Sequence, residues 1–239
     1  LVTIATLDGG VHQVVANQTS TSLSSVYFRI VQDENQNEYV VVKTFDGVAL
    51  VDGLTMEPMW AVALDSATAD LHAGAFAAQD TLVMVLDARL YVAVSLLTGT
   101  LKYSGYVPMC DVEGWDLSDV LSSDAVTDHA NNFLYMVFGS ACLYSLDAVS
   151  GASVTTFIPG YYPINTVLHL TGNCLMAMDA FGTIACFTPG SLAGAVPRWS
   201  HATGYAFDGD NLQFGSAPGV VLVAFAGELH VYETATGAL

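Results

Sequence analysis

One phrase recurs six times along this chain of 239 residues. It reads as an apolar strand, a tight turn rich in Asp and Gly, a second apolar strand and a Thr-Gly-like step. It runs VTIATLDGGVHQVV from Val2 to Val15, then VVVKTFDGVALV (Val40–Val51), VMVLDARLYVAV (Val83–Val94), YMVFGSACLYSLDA (Tyr135–Ala148), LMAMDAFGTIACF (Leu175–Phe187) and VLVAFAGELHVYE (Val221–Glu233). With Gly9, Gly47, Ala88, Ser140, Gly182 and Gly227 as landmarks, the intervals are 38, 41, 52, 42 and 45 residues. Self-similarity at this period restricts the chain to architectures that stack like units, none of which buries its apolar faces alone.

Units made only of strands at this period predict an all-β chain, a β-propeller of four-stranded blades with six repeats visible. The hairpin supplies the middle two strands of each blade. Apolar segments such as Ala73–Phe76, Ile164–Leu170 and Leu212–Phe214 precede it. Others, such as Met59–Leu64, Leu101–Val107, Val154–Ile158 and Arg198–His201, follow it. The unbroken repeat argues for one domain over residues 1–239. Leu1 falls in the second strand of the first unit, and Gly237 comes before the fourth strand of the last. The domain is therefore expected to be incomplete at both ends, part of a longer chain and of a seven- or eight-bladed ring.

Composition removes several rivals. The chain is 53% hydrophobic and 12% charged, but its apolar runs are cut every few residues by Gly, Asp, Asn or Ser. A membrane-spanning helix needs about 18–20 unbroken apolar residues, and barrel strands of about ten alternating residues are longer than these. No membrane insertion by this domain is expected. The net charge of −18 leaves five Lys and Arg, namely Arg29, Lys43, Arg89, Lys102 and Arg198. So few cations cannot neutralise a phosphate backbone, which excludes nucleic acid as a partner. Four cysteines, Cys110, Cys142, Cys174 and Cys186, allow three full pairings. Cys174 and Cys186 flank one hairpin turn and would reach each other if directly opposite. Cys110 and Cys142 would form the second pair. The alternative is four buried thiols packing as small hydrophobes. Asn17-Gln18-Thr19 is an N-glycosylation sequon, relevant only if the protein is secreted.

At the Thr-Gly step the chain resembles the PQQ-like β-propeller repeat of quinoprotein alcohol dehydrogenases and their non-catalytic relatives. Leu143-Tyr144-Ser145-Leu146-Asp147-Ala148-Val149-Ser150-Gly151 carries the likeness. So do Leu90–Val94 with Thr98-Gly99, Leu229–Tyr232 with Thr236-Gly237, and Leu50–Trp60. A further match, Ile184–Trp199, is stretched by Pro189–Pro197. The resemblance implies that fourth-strand Trp residues dock on the next blade. Trp60 and Trp199 stand in that place, and Tyr103 substitutes in the second full unit. It also implies an adjacent Cys-Cys pair and an acidic calcium set in the enzymes. No two cysteines here are adjacent, which disfavours a PQQ enzyme.

Two segments do not repeat. The long interval holds Asp111, Glu113, Asp116, Asp119, Asp124 and Asp128 within an insertion of about ten residues relative to its siblings. Asp111, Glu113, Asp116 and Asp119 offer oxygen ligands to Ca²⁺, though without EF-hand spacing. A solvated acidic loop is the alternative. Tyr161 and Tyr162, beside Pro159-Gly160, form an aromatic loop tip, and Trp115 adds a ring to the insertion. Such rings favour protein interfaces, or cap a blade edge. Asp208-Gly209-Asp210-Asn211 reads as a turn. His12, His72, His129, His169, His201 and His230 fall into no metal-binding spacing.

These readings lead to one expectation: a non-catalytic propeller serving as a protein-interaction or assembly scaffold, with protein partners and no cofactor unless Ca²⁺. Relatives resembling it act in the bacterial periplasm and the eukaryotic secretory pathway, which implies an extracytoplasmic location. The alternatives are a quinoprotein-like redox enzyme completed by other blades and a structural repeat in a larger extracellular assembly. Propellers host many functions, so the fold alone decides none of these.

Overall fold

The computed structural model describes residues 2–5, 11–14, 27–44, 47–63, 74–85, 90–106, 125–138, 142–156, 167–179, 181–190, 192–204, 213–225 and 227–239. Every regular element among them is a strand, and the strands form six antiparallel sheets. Strands β1 (Val2–Ala5) and β2 (Val11–Val14) make the first sheet. The second runs β3 (Tyr27–Gln32), β4 (Glu38–Thr44), β5 (Gly47–Asp52) and β6 (Pro58–Ala63), and the third β7 (Gly74–Ala78), β8 (Thr81–Val85), β9 (Leu90–Ser95) and β10 (Leu101–Tyr106). The fourth comprises β11 (Val126–Asp128), β12 (Phe133–Phe138), β13 (Cys142–Asp147) and β14 (Ser153–Thr156). The fifth comprises β15 (Val167–Thr171), β16 (Cys174–Met178), β17 (Thr183–Phe187) and β18 (Trp199–Ala202). The last has three strands, β19 (Gln213–Ala217), β20 (Val220–Phe225) and β21 (Glu228–Glu233). Strand order in each sheet is chain order, the simple meander of a propeller blade.

The apolar hairpins are continuous rather than alternating because both faces of each sheet are covered. All five residues of β8 are buried, as are all five of β16. Successive side chains point to opposite faces. Leu82 and Met84 therefore pack with Val41, Val48 and Leu50 of the preceding sheet. Val83 and Val85 pack with Leu134, Met136 and Tyr144 of the following one. The pattern repeats where Tyr135, Val137 and Leu143 meet Leu175, Ala177 and Phe187, and where Met176, Met178 and Ile184 meet Val221, Val223 and Tyr232. Burying one such side chain is worth about 1.5–3 kcal/mol, so stability resides between blades and not within them. The first strands touch in sequence, β3 with β7, β7 with β11, β11 with β15 and β15 with β19. They line the axis, and the later strands fan outward.

Cys174 and Cys186 are joined as a disulfide, with Cα atoms 5.5 Å apart. This is the pair expected from the hairpin, although the two residues are not directly opposite. The register sets Met176 against Cys186 and Leu175 against Phe187, so the bridge runs diagonally across the hairpin. Cys174 and Met176, two residues apart, share a face, and that is why the diagonal reaches. Cys142 is also disulfide-bonded; Cys110 lies outside the described residues.

Candidate functional site

The Thr-Gly step is a five-residue turn that begins at or just after the end of the third strand of a sheet. It occurs as Asp52–Met56, Ser95–Gly99, Asp147–Gly151 and Glu233–Gly237. In each the fifth N–H donates to the first carbonyl at 2.8 Å. The first N–H donates to the carbonyl beyond the turn, for example Ser95 to Thr100 at 2.8 Å. The fourth residue is Thr or Ser because its hydroxyl accepts the N–H two residues on, as Ser150 does from Ala152 at 3.2 Å and Thr236 from Ala238 at 3.1 Å. In the second and fourth sheets the first residue is Asp, whose carboxylate accepts from the third N–H: Leu54 to Asp52 at 2.9 Å and Val149 to Asp147 at 2.8 Å. In the third sheet Asp80 does this from the neighbouring turn, accepting from Leu97 at 3.1 Å.

The fifth position is Gly for two reasons. Its φ is +70° at Gly99, +74° at Gly151 and +72° at Gly237, in the left-handed region. An aromatic ring of the preceding blade also lies where a Cβ would stand. A Cβ on Gly99 would be 2.7 Å from the Trp60 indole, one on Gly151 2.7 Å from Tyr103, and one on Gly237 2.5 Å from Trp199. The Trp60 indole N–H donates to the Leu96 carbonyl at 2.8 Å, and that of Trp199 to the Thr234 carbonyl at 3.1 Å. The Tyr103 hydroxyl donates to the Ala148 carbonyl. Tyr103 thus does the work of the missing tryptophan. Met56 takes the position at φ 59° and packs with Val40, Val42 and Val51.

The second residue of each turn bonds the turn between the first two strands. Gly53 donates to the Glu38 carbonyl at 2.8 Å, Leu96 to Asp80 at 3.1 Å, Ala148 to Asn132 at 2.8 Å and Thr234 to Gly219 at 3.0 Å. Both sets of turns therefore lie on one face of the propeller. Carboxylates organise this face. Asp33 accepts from the N–H groups of Asn35 and Asn37 and from the Tyr39 hydroxyl, and Asp128 likewise accepts from Ala130, Asn131 and Tyr135. Chiefly the Thr55 N–H holds the Asp52 carboxyl below its usual range. At Asp33 burial pushes upward, and the hydrogen bonds from Asn37, Asn35 and Tyr39 outweigh it.

A cavity of about 390 Å³ lies along the first strands of the second, third and fourth sheets, lined among others by Arg29, Gln32, Glu38, Phe76, Thr127 and His129. The Arg29 guanidinium sits 4.8 Å from the Phe76 ring centroid, a cation–π contact. The Gln32 amide donates to Glu38 at 3.1 Å. Further round the axis, His169 stacks on Phe214 with ring centroids 5.5 Å apart, and its Nε2 is buried without a partner among the described residues. Burial depresses the His169 pKa below the usual 6.5. The unfolded chain therefore takes up its proton first as pH falls. This contribution to stability is complete above pH 6.5, falls as pH drops through that value and levels off below the depressed folded pKa. Thermal melts from pH 7.5 to 5 are expected to show a smaller loss of stability in His169→Phe than in the parent chain.

Several residues singled out in the sequence lie outside the described residues: Asp111, Glu113, Asp116, Asp119, Asp124, Trp115, Tyr161, Tyr162, Asn17 and Asp208–Asn211. Of the acidic insertion only Asp128 is described, and its carboxylate caps a turn. His230 stacks on Tyr232 at 6.2 Å and lies 3.1 Å from Glu228. Sequence reasoning missed the third position of the Thr-Gly turn. Leu54, Leu97 and Val149 stand there 90%, 61% and 53% exposed. Aligning the turns rather than the strands would have shown them.

No protein-family model matches the chain, and no curated protein matches it by sequence. Solved structures do. BamB from Moraxella catarrhalis is similar at TM-score 0.61 and 14% identity, over 98% of this chain and 67% of that one. Apo AztD from Citrobacter koseri is similar at 0.59 and 12% identity, over 88% and 57%. The Cps50 (Swd1) β-propeller domain of Myceliophteria thermophila is similar at 0.54 and 13% identity, over 88% and 71%. The chain thus spans 57% to 71% of these structures' lengths. At such identities the likeness shows a β-propeller fold and nothing finer.

Proposed function

We propose that this chain is a non-catalytic β-propeller of the PQQ-like kind that serves as a protein-interaction or assembly scaffold in an extracytoplasmic compartment. The observation that carries the reading is the face of turns. Its backbone groups and carboxylates are spent on holding the turns rigid, as Asp33, Asp52, Asp128 and Asp147 do by accepting backbone N–H groups. Its exposed tips are aliphatic. A rigid frame presenting side chains of no structural use suits recognition better than chemistry. The Cys174–Cys186 disulfide supports the compartment, since such bonds persist where thiols are not kept reduced. No cofactor is expected; Ca²⁺ at Asp111, Glu113, Asp116 and Asp119 is the one metal the sequence offers.

Cross-linking at native expression level, in the source cells, is expected to trap a defined protein partner in fixed proportion. Purified protein is expected to release no quinone on denaturation. Stoichiometric PQQ with turnover of an alcohol would overturn the reading in favour of the quinoprotein alternative.

A further inference from the structure

We propose that the face carrying the Thr-Gly turns docks a basic partner segment that interleaves Lys or Arg with aliphatic residues, with Leu54, Leu97 and Val149 as the anchors it covers. This rests on the scaffold reading and names the partner's chemistry.

The turn makes a demand at four of its five positions. The first and fourth cap it, the second bonds the neighbouring turn, and the fifth takes positive φ. The third asks only for an N–H, which is already satisfied at Leu54, Leu97 and Val149. Any polar residue would serve folding equally well. Three consecutive blades nonetheless place Leu, Leu and Val there, at exposures of 90%, 61% and 53%. Single exposed aliphatics need no explanation; recurrence at one structural position, on one face, does.

Charge selects the occupant. On this face the exposed Glu34 and Glu57 stand in the turns of the second sheet, the latter three residues from Leu54, and the exposed Glu233 begins the turn of the sixth. Of the described cations, Lys102 is paired with Asp80 at 3.3 Å, and Arg198 donates to the Asn173 carbonyl at 3.1 Å. The chain as a whole carries −18. An acidic segment would be repelled by this field and a basic one is steered in, an advantage that a neutral apolar segment lacks.

The test uses the full chain and two synthetic probes of equal charge, one alternating Lys with Leu and one alternating Lys with Ser, in fluorescence anisotropy at 0.15 M salt. The Lys-Leu probe is expected to bind more tightly. The triple substitution Leu54→Ser, Leu97→Ser and Val149→Ser should weaken it by at least about tenfold, the loss of about 1.4 kcal/mol of apolar burial. Phe181→Ser, at the turn between β16 and β17 on the opposite face, should leave it unchanged. If the triple variant melts early, the single Leu97→Lys gives the same reading by local charge. Equal binding of both probes, or unchanged binding by the triple variant, would overturn the inference and leave only non-specific attraction. So would parent self-association, or binding to phosphatidylcholine vesicles, that the triple variant abolishes. None of these outcomes touches the scaffold reading, which the cross-linking and quinone measurements test separately.

Discussion

Gly99→Ala is expected to cost about 2–5 kcal/mol of folding stability, made of about 1–2 for a left-handed non-glycine residue and about 1–3 for overpacking. At φ +70° the backbone is already outside the range alanine favours. The new Cβ would stand 2.7–2.9 Å from three indole atoms of Trp60. The indole cannot retreat without breaking its 2.8 Å bond to the Leu96 carbonyl, three residues before the glycine. Gly172→Ala separates the two costs. Its φ is +52° and nothing lies within 4 Å of the added carbon, so about 1–2 kcal/mol is expected. Placing Gly99→Ala in a Trp60→Ala background should bring its cost down to that of Gly172→Ala. Chemical denaturation of the four chains gives the coupling directly. If Gly99→Ala costs no more than Gly172→Ala in the parent chain, the indole is not seated on the turn.

The same contact explains what was legible in the sequence. Thr98-Gly99, Ser150-Gly151 and Thr236-Gly237 are recognisable because local chemistry demands them: a hydroxyl to cap, and a residue without Cβ under an aromatic ring. The hairpins are recognisable because burial on both faces forces uninterrupted runs such as Leu82–Val85. Even Tyr103 could be placed, since it holds the register position of Trp60 and Trp199. The Cys174–Cys186 pairing was legible from its place on one hairpin, but its diagonal course was not, because symmetry about a turn does not set which residues face each other. Leu54, Leu97 and Val149 were passed over because their identity has no effect on the local fold.

Leu192 shows the other kind of silence, and Leu192→Ala is expected to cost about 2–5 kcal/mol. The fifth sheet lacks the Thr-Gly turn. Between β17 and β18 the chain instead makes the excursion read in the sequence as a stretch from Pro189 to Pro197. That excursion is a docking device. Leu192 is fully buried among Tyr135, Leu143, Leu175 and Phe187, at the seam between the fourth and fifth sheets. Its N–H donates to the buried Ser145 hydroxyl at 2.9 Å, and the Gly190 N–H donates to the Tyr135 hydroxyl. Tyr135 in turn donates to Asp128 at 3.2 Å. One aliphatic side chain and two N–H groups thus hold the seam that an aromatic ring on a Gly holds between other blades. Ser145→Ala, which strands the Leu192 N–H, is expected to cost about 1–3 kcal/mol. Val196→Ala, four residues on and 78% exposed, should stay within about 0.5 kcal/mol. Because Leu192 and Ser145 share one contact, their double variant should lose less than the sum of the singles. Strict additivity, or a Leu192→Ala cost as small as that of Val196→Ala, would mean that the excursion merely covers the seam and does not hold it.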